Sequence, residues 1–196
     1  MIKDIIKKSR SYRRFYGEKA IKMDQLKELV DLARMSPSMG NKQPLKYILV
    51  CEPEMNAKVF EHLLWAGYLK EWPGPIPEER PTGYIVMLRD KNINKNQTVD
   101  EGICGQSMLL GATEQGLGGC MIASFNKDKL TETLQVSEDY DIALVIALGY
   151  PKEEVVLDPV KEDGDIKYWR DENQVHHVPK RSLDELIINM SYNEYK

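Results

Sequence analysis

Apolar residues return at helical spacing in Leu26, Leu29, Val30 and Ala33, which predicts an amphipathic helix over about residues 23–35, stopped by Ser36-Pro37. The β-branched and aromatic run Tyr47-Ile-Leu-Val50 then predicts a strand buried on both faces. Val59, Leu63, Leu64 and Ala66 predict a helix over 54–66. A second strand is expected from Gly83 to Arg89, and a helix from Val99 to Gln115 whose small residues permit close packing. Cys120 to Ala123 reads as a short strand, and Asn126 as the cap of a helix carrying Leu130 and Leu134. Ile142 to Leu148 is apolar throughout and predicts a central strand covered on both sides. Four strands interspersed with helices make an α/β or α+β protein.

Two stretches break this pattern. Residues 67–81 hold Trp72, Pro73, Gly74, Pro75, Pro77 and Pro81 and predict a long loop, a length that in compact domains is usually functional or mobile. Residues 151–180 are polar, with Pro151, Pro159, Gly164 and Pro179, and predict an irregular arm that wraps a partner subunit. Ser182-Leu-Asp-Glu185 is a capping box that opens a last helix.

The chain of 196 residues has a formal net charge of −4, with 42% hydrophobic and 30% charged residues, the mix of a globular domain. That balance argues against a general nucleic-acid binder, which needs a surplus of cations facing phosphates. The longest aliphatic run, Ile142 to Leu148, is far short of the ~20 residues that cross a bilayer. The N-terminus alternates charged and aliphatic residues, unlike a secretory signal, and the three cysteines show no disulfide spacing. A cytoplasmic protein without nucleic-acid or membrane partners is expected. Charge is nonetheless uneven: residues 1–22 carry a local charge of +6, and the remainder −10. Such a run is either a solvated helix face or a local anion site, for which two or three cations suffice.

Candidate chemistry is sparse. Gly116-Leu-Gly-Gly119 follows a helix rather than a strand, so it reads as a helix C-cap instead of a dinucleotide fingerprint. His62 and the pair His176-His177 lack the spacing of a metal site, and none is expected. No nucleophile elbow, zinc-protease motif or phosphate loop appears. A bound cofactor would then supply the chemistry. In Ser9-Arg-Ser-Tyr-Arg-Arg-Phe15, Arg10, Ser11 and Arg13 offer two guanidinium forks and a hydroxyl to one phosphate. In Ser36-Pro-Ser-Met-Gly-Asn-Lys-Gln-Pro44, Ser38, Asn41 and Gln43 offer the short neutral groups that a ribityl chain or flavin edge would use.

These two stretches resemble the nitroreductase family of FMN-dependent oxidoreductases, patterned Arg-Arg-Ser-x-Arg-x-Phe and then Ala-Pro-Ser-x-x-Asn-x-Gln-Pro. The likeness continues through Asp100-Glu-Gly-Ile-Cys-Gly-Gln-Ser-Met-Leu-Leu-Gly-Ala112, Gly116-Leu-Gly-Gly119 and Leu148-Gly-Tyr-Pro151. It implies an α+β fold, a three-layer α/β/α sandwich around a mostly antiparallel sheet. It also implies an intertwined homodimer with an extended C-terminal arm, the whole chain forming one FMN-binding domain. By the same resemblance Arg10, Ser11 and Arg13 hold the FMN phosphate and ribityl oxygens, and Pro37, Ser38, Asn41 and Gln43 come from the other subunit. Met121, Ile122 and Ala123 lie along the isoalloxazine, and Lys180 and Arg181 close on the phosphate. The chain departs from the pattern at Ser9, which stands where the family has its first Arg; that phosphate contact is either lost or replaced by Lys8 or Lys180.

The implied activity takes a hydride from NADH or NADPH and reduces a small acceptor, such as a nitroaromatic or quinone, by a ping-pong mechanism. The flavin carries that chemistry, so no side chain is expected as a covalent catalyst. Arg13, near the flavin's pyrimidine edge, would stabilise negative charge on the reduced ring. Tyr68 and Trp72, in the breaker-rich loop, either shape the acceptor pocket or belong to a solvent-facing connection. The alternatives are a reductive dehalogenase or flavin-cleaving enzyme on the same fold, a non-catalytic flavin-binding or storage protein, and a phosphate-binding dimer without flavin.

Overall fold

The computed structural model describes residues 1–188. Four strands, β1 (Leu45–Val50), β2 (Gly83–Asp90), β3 (Gly118–Ile122) and β4 (Tyr140–Gly149), pair in the order β1-β2-β4-β3 with every neighbour antiparallel. The two most apolar runs thus occupy the centre, where both faces are covered. Alternation along β2 and β4 sends Ile85, Met87, Ile146 and Leu148 to one face, and Tyr84, Val86, Val145 and Ala147 to the other.

Helices close both faces. Of the helices α1 (Ile2–Lys8), α2 (Met23–Met35), α3 (Pro53–Phe60), α4 (Asp100–Glu114) and α5 (Lys127–Thr133), α2 and α4 cover the first face through Leu26, Leu29, Met108 and Leu109. Val59 of α3 and Leu130 of α5 cover the second. This is the expected α+β, three-layer sandwich with an antiparallel sheet. The small residues of α4 matter here: a Cβ on Gly111 would stand 2.1 Å from Leu32 Cδ1, so its absence sets how closely α2 and α4 approach.

The boundaries expected for α2, α4 and the central strands hold to within a few residues. α3 differs, ending at Phe60 rather than near 66. Beyond it Leu63 forms a β-bridge with Phe125, and Leu64 N–H donates to Ser124 O at 3.0 Å. Leu63 is buried by that tertiary pairing rather than by a helical turn, and Leu64 stays exposed.

The chain divides into two compact units, Met1–Glu153 and Glu154–Lys196. The second unit corrects the expectation of an irregular arm over 151–180. It contains a small sheet in which β5 (Val155–Pro159) runs parallel to β7 (His176–Lys180), and β6 (Trp169–Arg170) antiparallel to it. Its strands are too polar to announce themselves by apolar alternation. His177 is fixed instead by Asp158, whose Oδ2 lies 2.7 Å from Nδ1, and by stacking on Trp169 at 4.1 Å between ring centroids. The last helix, α6 (Leu183–Leu186), has the predicted cap, with Ser182 Oγ accepting from Glu185 N–H. Among the described residues no helix is long and apolar enough to cross a membrane.

Candidate functional site

The basic N-terminal segment splits into two parts with different fates. Lys3, Lys7 and Lys8 lie on α1, which buries no residue, so for them the solvated-face reading applies. From Ser9 the chain leaves the helix and runs extended beside the edge strand β3. Ser11 pairs in parallel with Gly119, and Tyr12 N–H donates to Gly119 O at 3.0 Å. Phe15, wholly buried, forms the next bridge with Pro151. Gly118 is what lets the segment lie this close: a Cβ there would meet Tyr12 Cδ2 at 2.5 Å and Pro151 Cγ at 2.6 Å. The glycine run is therefore more than the end of α4, although Gly116, with φ at +74°, does close that helix as expected.

A buried carboxylate grips this segment. Glu153, 9% exposed, accepts from the backbone N–H of Arg13 and from that of Arg14, the latter at 3.2 Å. Arg14 is turned away into a bidentate pair with Glu79, Nε to Oε2 at 2.5 Å and Nη2 to Oε1 at 2.7 Å, with Lys152 Nζ at 3.0 Å from the same carboxylate. Of the three arginines in residues 9–15, Arg14 is thereby structural, its guanidinium held by Glu79. Arg10 Nη2 donates to Ile6 O at 2.7 Å, whereas its buried Nε has no hydrogen-bond partner among the described residues. Arg13 Nη1 donates to Ser11 O at 3.1 Å.

The Arg14–Glu79 pair carries a pH dependence. Hydrogen bonding from Arg14 first, with Lys152 assisting, holds the Glu79 carboxyl at about 2 against its ordinary 4.5. A depressed carboxylate stabilises the fold fully above its unfolded pKa and loses that contribution as pH falls through the folded one. Glu79→Gln is therefore expected to cost about 2 kcal/mol at pH 7, the linkage value being reduced by solvent screening at Lys152. The gap between variant and parent in chemical denaturation should shrink between about pH 4.5 and 2; a gap independent of pH would refute this role.

The second sequence stretch is built just as deliberately. Pro37, Asn41 and Gln43 are exposed and Ser38 is half-buried, on the loop that follows α2. Asp100, 1% exposed in the first turn of α4, accepts from Ser38 Oγ at 2.6 Å and from Met39 N–H at 2.9 Å. Ser38 Oγ in turn accepts from Gln43 N–H at 2.9 Å. Gly40, Asn41 and Gln43 all take left-handed backbone, with φ at +59°, +52° and +51°. For Gln43 this conformation costs about 1 kcal/mol, which the Asp100 anchor offsets. Helix-dipole attraction at the start of α4 favours the anchor's negative charge.

On β3 alternation separates the three residues read from the sequence. Ile122 is buried in the core of the second face, while Met121 turns to the first, half-buried against Gly105, and Ala123 is exposed just past the strand's end. The Leu64–Ser124 hydrogen bond fixes the chain ahead of the 67–81 segment just past Ala123. Tyr68 is exposed and Trp72 half-buried. Lys180 and Arg181 belong to the second unit, at the end of β7 and just before α6, and Arg181 forms an ion pair with Glu185. Asp100, Glu153, Glu79 and the structural role of Arg14 were absent from the sequence reading. An acid in the first turn of α4 was the one available signal, and it is indistinguishable from ordinary dipole compensation.

The Ser11–Gly119 bridge at the edge of the four-stranded antiparallel sheet brings the N-terminal arginines to the strand that begins in the glycine run, and the family comparison agrees. Residues 6–150 match the family model described as Nitroreductase family. The chain belongs to the nitroreductase family. It is similar to a putative NADH dehydrogenase/NAD(P)H nitroreductase of Archaeoglobus fulgidus, 26% identical over 149 residues that cover 72% of this chain and 80% of that protein. An iodotyrosine deiodinase of Haliscomenobacter hydrossis is 26% identical over 187 residues, 76% of this chain and 83% of its own. Among solved structures, an FMN-dependent nitroreductase from Clostridium difficile R20291 superposes with a TM-score of 0.62 at 23% identity, covering 76% of this chain and 87% of that one. This nitroreductase-family chain is an oxidoreductase by class, and the superposition shows the shared fold.

Proposed function

We propose that this nitroreductase-family protein is an FMN-dependent homodimer that oxidises NADH or NADPH and reduces a small acceptor, a nitroaromatic or a quinone, in two alternating half-reactions. The observation that carries the reading is the pairing of Ser11 with Gly119, which sets the segment of Arg10, Ser11 and Arg13 beside the strand that bears Met121 and Ile122. The residues present fit the cofactor. Arg10 Nε is a buried donor without a hydrogen-bond partner among the described residues, and a dianionic phosphate is the kind of group that two guanidinium forks and a hydroxyl satisfy.

When bound, FMN accepts a hydride from the nicotinamide and passes electrons to the acceptor. The protein supplies position and electrostatics. Arg10, Ser11 and Arg13, with Lys180 and Arg181, hold the phosphate end. Met121 and Ala123 flank the ring by their side chains, and Ile122, its own side chain in the core, by backbone alone. Pro37, Ser38, Asn41 and Gln43, shaped by Asp100, reach the flavin of the partner subunit. A dimer is supported by the exposure of Ile2, Ile6, Met35 and Met39 in the first unit and of Leu183, Leu186 and Ile187 in the second. Tyr68 and Trp72 border the acceptor side.

The purified protein is expected to be yellow, and anaerobic NADH or NADPH should bleach it on the timescale of turnover. Yellow protein that neither coenzyme bleaches would make it a flavin-binding module; protein that stays colourless after incubation with FMN would remove the flavin altogether. The similarity to an iodotyrosine deiodinase favours one second reading, reductive dehalogenation. Iodide release from 3-iodotyrosine by the reduced protein, exceeding nitroaromatic reduction, would establish it.

A further inference from the structure

A cavity of about 280 Å³ lies in the first unit between α3, the start of β2 and the end of the proline-rich segment, and none of the proposed flavin-binding residues lines it. Its walls are mostly apolar, from Pro53, Ala57, Phe60, Pro77 and Pro81 among others. Three polar side chains that line it have atoms buried without a hydrogen-bond partner: Tyr84 OH, Asn56 Oδ1 and Arg80 Nε. Tyr84 is 0% exposed, so its hydroxyl is cut off from bulk water. A buried hydroxyl left in this state destabilises the fold, and its persistence calls for an explanation.

The three groups have complementary demands. Arg80 lies over the Phe60 ring, 4.0 Å from Cζ to centroid, and no carboxylate lines the cavity to neutralise it. Burial raises the Tyr84 phenol above its ordinary value, so it stays protonated and can donate. Asn56 Nδ2 donates to Thr82 O at 2.9 Å, which fixes the amide and leaves Oδ1 as an acceptor. The Arg80 charge is felt at the Tyr84 phenol, so an anion between them would satisfy both donors and neutralise the guanidinium, and the separate acceptor calls for an O–H or N–H. A cavity of about 150 Å³ takes a benzene ring, so this one has room for a ring with two polar substituents. A mainly apolar wall with a few placed polar groups is the usual make-up of a small-molecule site.

We propose that this cavity binds a small aromatic carboxylate bearing a hydroxyl group, the carboxylate meeting Arg80 and Tyr84 and the hydroxyl donating to Asn56 Oδ1. The site is separate from the flavin reading and stands whether or not that reading holds. The probe is 4-hydroxybenzoate, titrated calorimetrically into the purified full-length protein, with 4-hydroxybenzamide as the uncharged analogue and benzoate as the one without a hydroxyl. Saturable binding of 4-hydroxybenzoate is expected, at least 10-fold tighter than either analogue, with no change in any flavin absorption.

Arg80→Gln should weaken that binding at least 10-fold. Tyr84→Phe should weaken it about 5-fold while raising the unfolding midpoint of the ligand-free protein by about 2–4 °C, since it removes an unpartnered buried hydroxyl. A residue that merely packs would not move these two readouts in opposite directions. Lack of saturable binding, equal affinity for the neutral analogue, or affinity unaltered in both variants would overturn the proposal. Displacement or spectral perturbation of flavin by the probe would overturn it too, by placing the probe at the other site.

Discussion

Replacing Arg10 and Arg13 together by alanine is expected to weaken FMN binding at least about 100-fold without unfolding the protein. Each guanidinium on a phosphate makes charge-assisted hydrogen bonds worth about 1.5–3 kcal/mol, and about 2.7 kcal/mol already amounts to 100-fold. Neither side chain is part of the core, and the segment's position is set by backbone pairing with β3 and by Glu153 rather than by these two heads. Fluorescence titration of apoprotein with FMN, at two salt concentrations, reads the effect. Arg14→Ala is the contrast: its partner is Glu79, so it should lower the unfolding midpoint and leave FMN affinity within a few-fold. Stoichiometric flavin in the double variant would refute the assignment, as would the reverse ranking of these variants.

The second large effect concerns stability. Arg89 is 7% exposed in the central strand β2, and its Nε and Nη2 donate to Glu101 Oε1 at 3.0 and 2.6 Å. Nη1 donates to Asp141 Oδ2 at 3.1 Å, and the other Glu101 oxygen accepts from Thr98. Arg89→Met leaves Glu101, itself 6% exposed, as a buried charge without its counterion. A loss of about 3–5 kcal/mol is expected, roughly 10 °C in the unfolding midpoint. The doubly apolar Arg89→Met, Glu101→Leu protein should recover most of it, because the penalty belongs to the orphaned carboxylate rather than to the missing attraction. Asp100 neighbours Glu101 on the first turn of α4, so the single variant should also loosen the Ser38 loop and lower flavin content. A midpoint within 2 °C of the parent would show that the pair contributes nothing.

The two arginine clusters illustrate how function and stability divide along one short segment. Arg10, Arg13 and Arg14 are chemically identical and lie within five positions, yet only their surroundings tell them apart. Arg14 is consumed by Glu79, more than sixty residues away, and its neighbour's backbone by Glu153, from beyond the last strand of the sheet. No local pattern marks those partners. The family motif separates Arg13 from Arg14, and the structure supplies the physical reason.

What the chain's order of residues determined by itself was the class of fold and the kind of chemistry. Continuous apolar runs had to be central strands, since only burial on both faces accommodates them, and the periodic stretch at 23–35 had to be a helix with one covered side. Proline and glycine marked the breaks, and the joint spacing of short motifs identified the family. Tertiary structure alone decided which face each strand residue serves, turning Ile122 into the core of one face and Met121 towards the other, against Gly105. It alone ended α3 early through the Leu63–Phe125 bridge, made a sheet of a polar segment that lacked any apolar period, and set Asp100 beneath the Ser38 loop. Those outcomes depend on contacts between residues distant in the chain, whose free energy is realised only when the two surfaces meet.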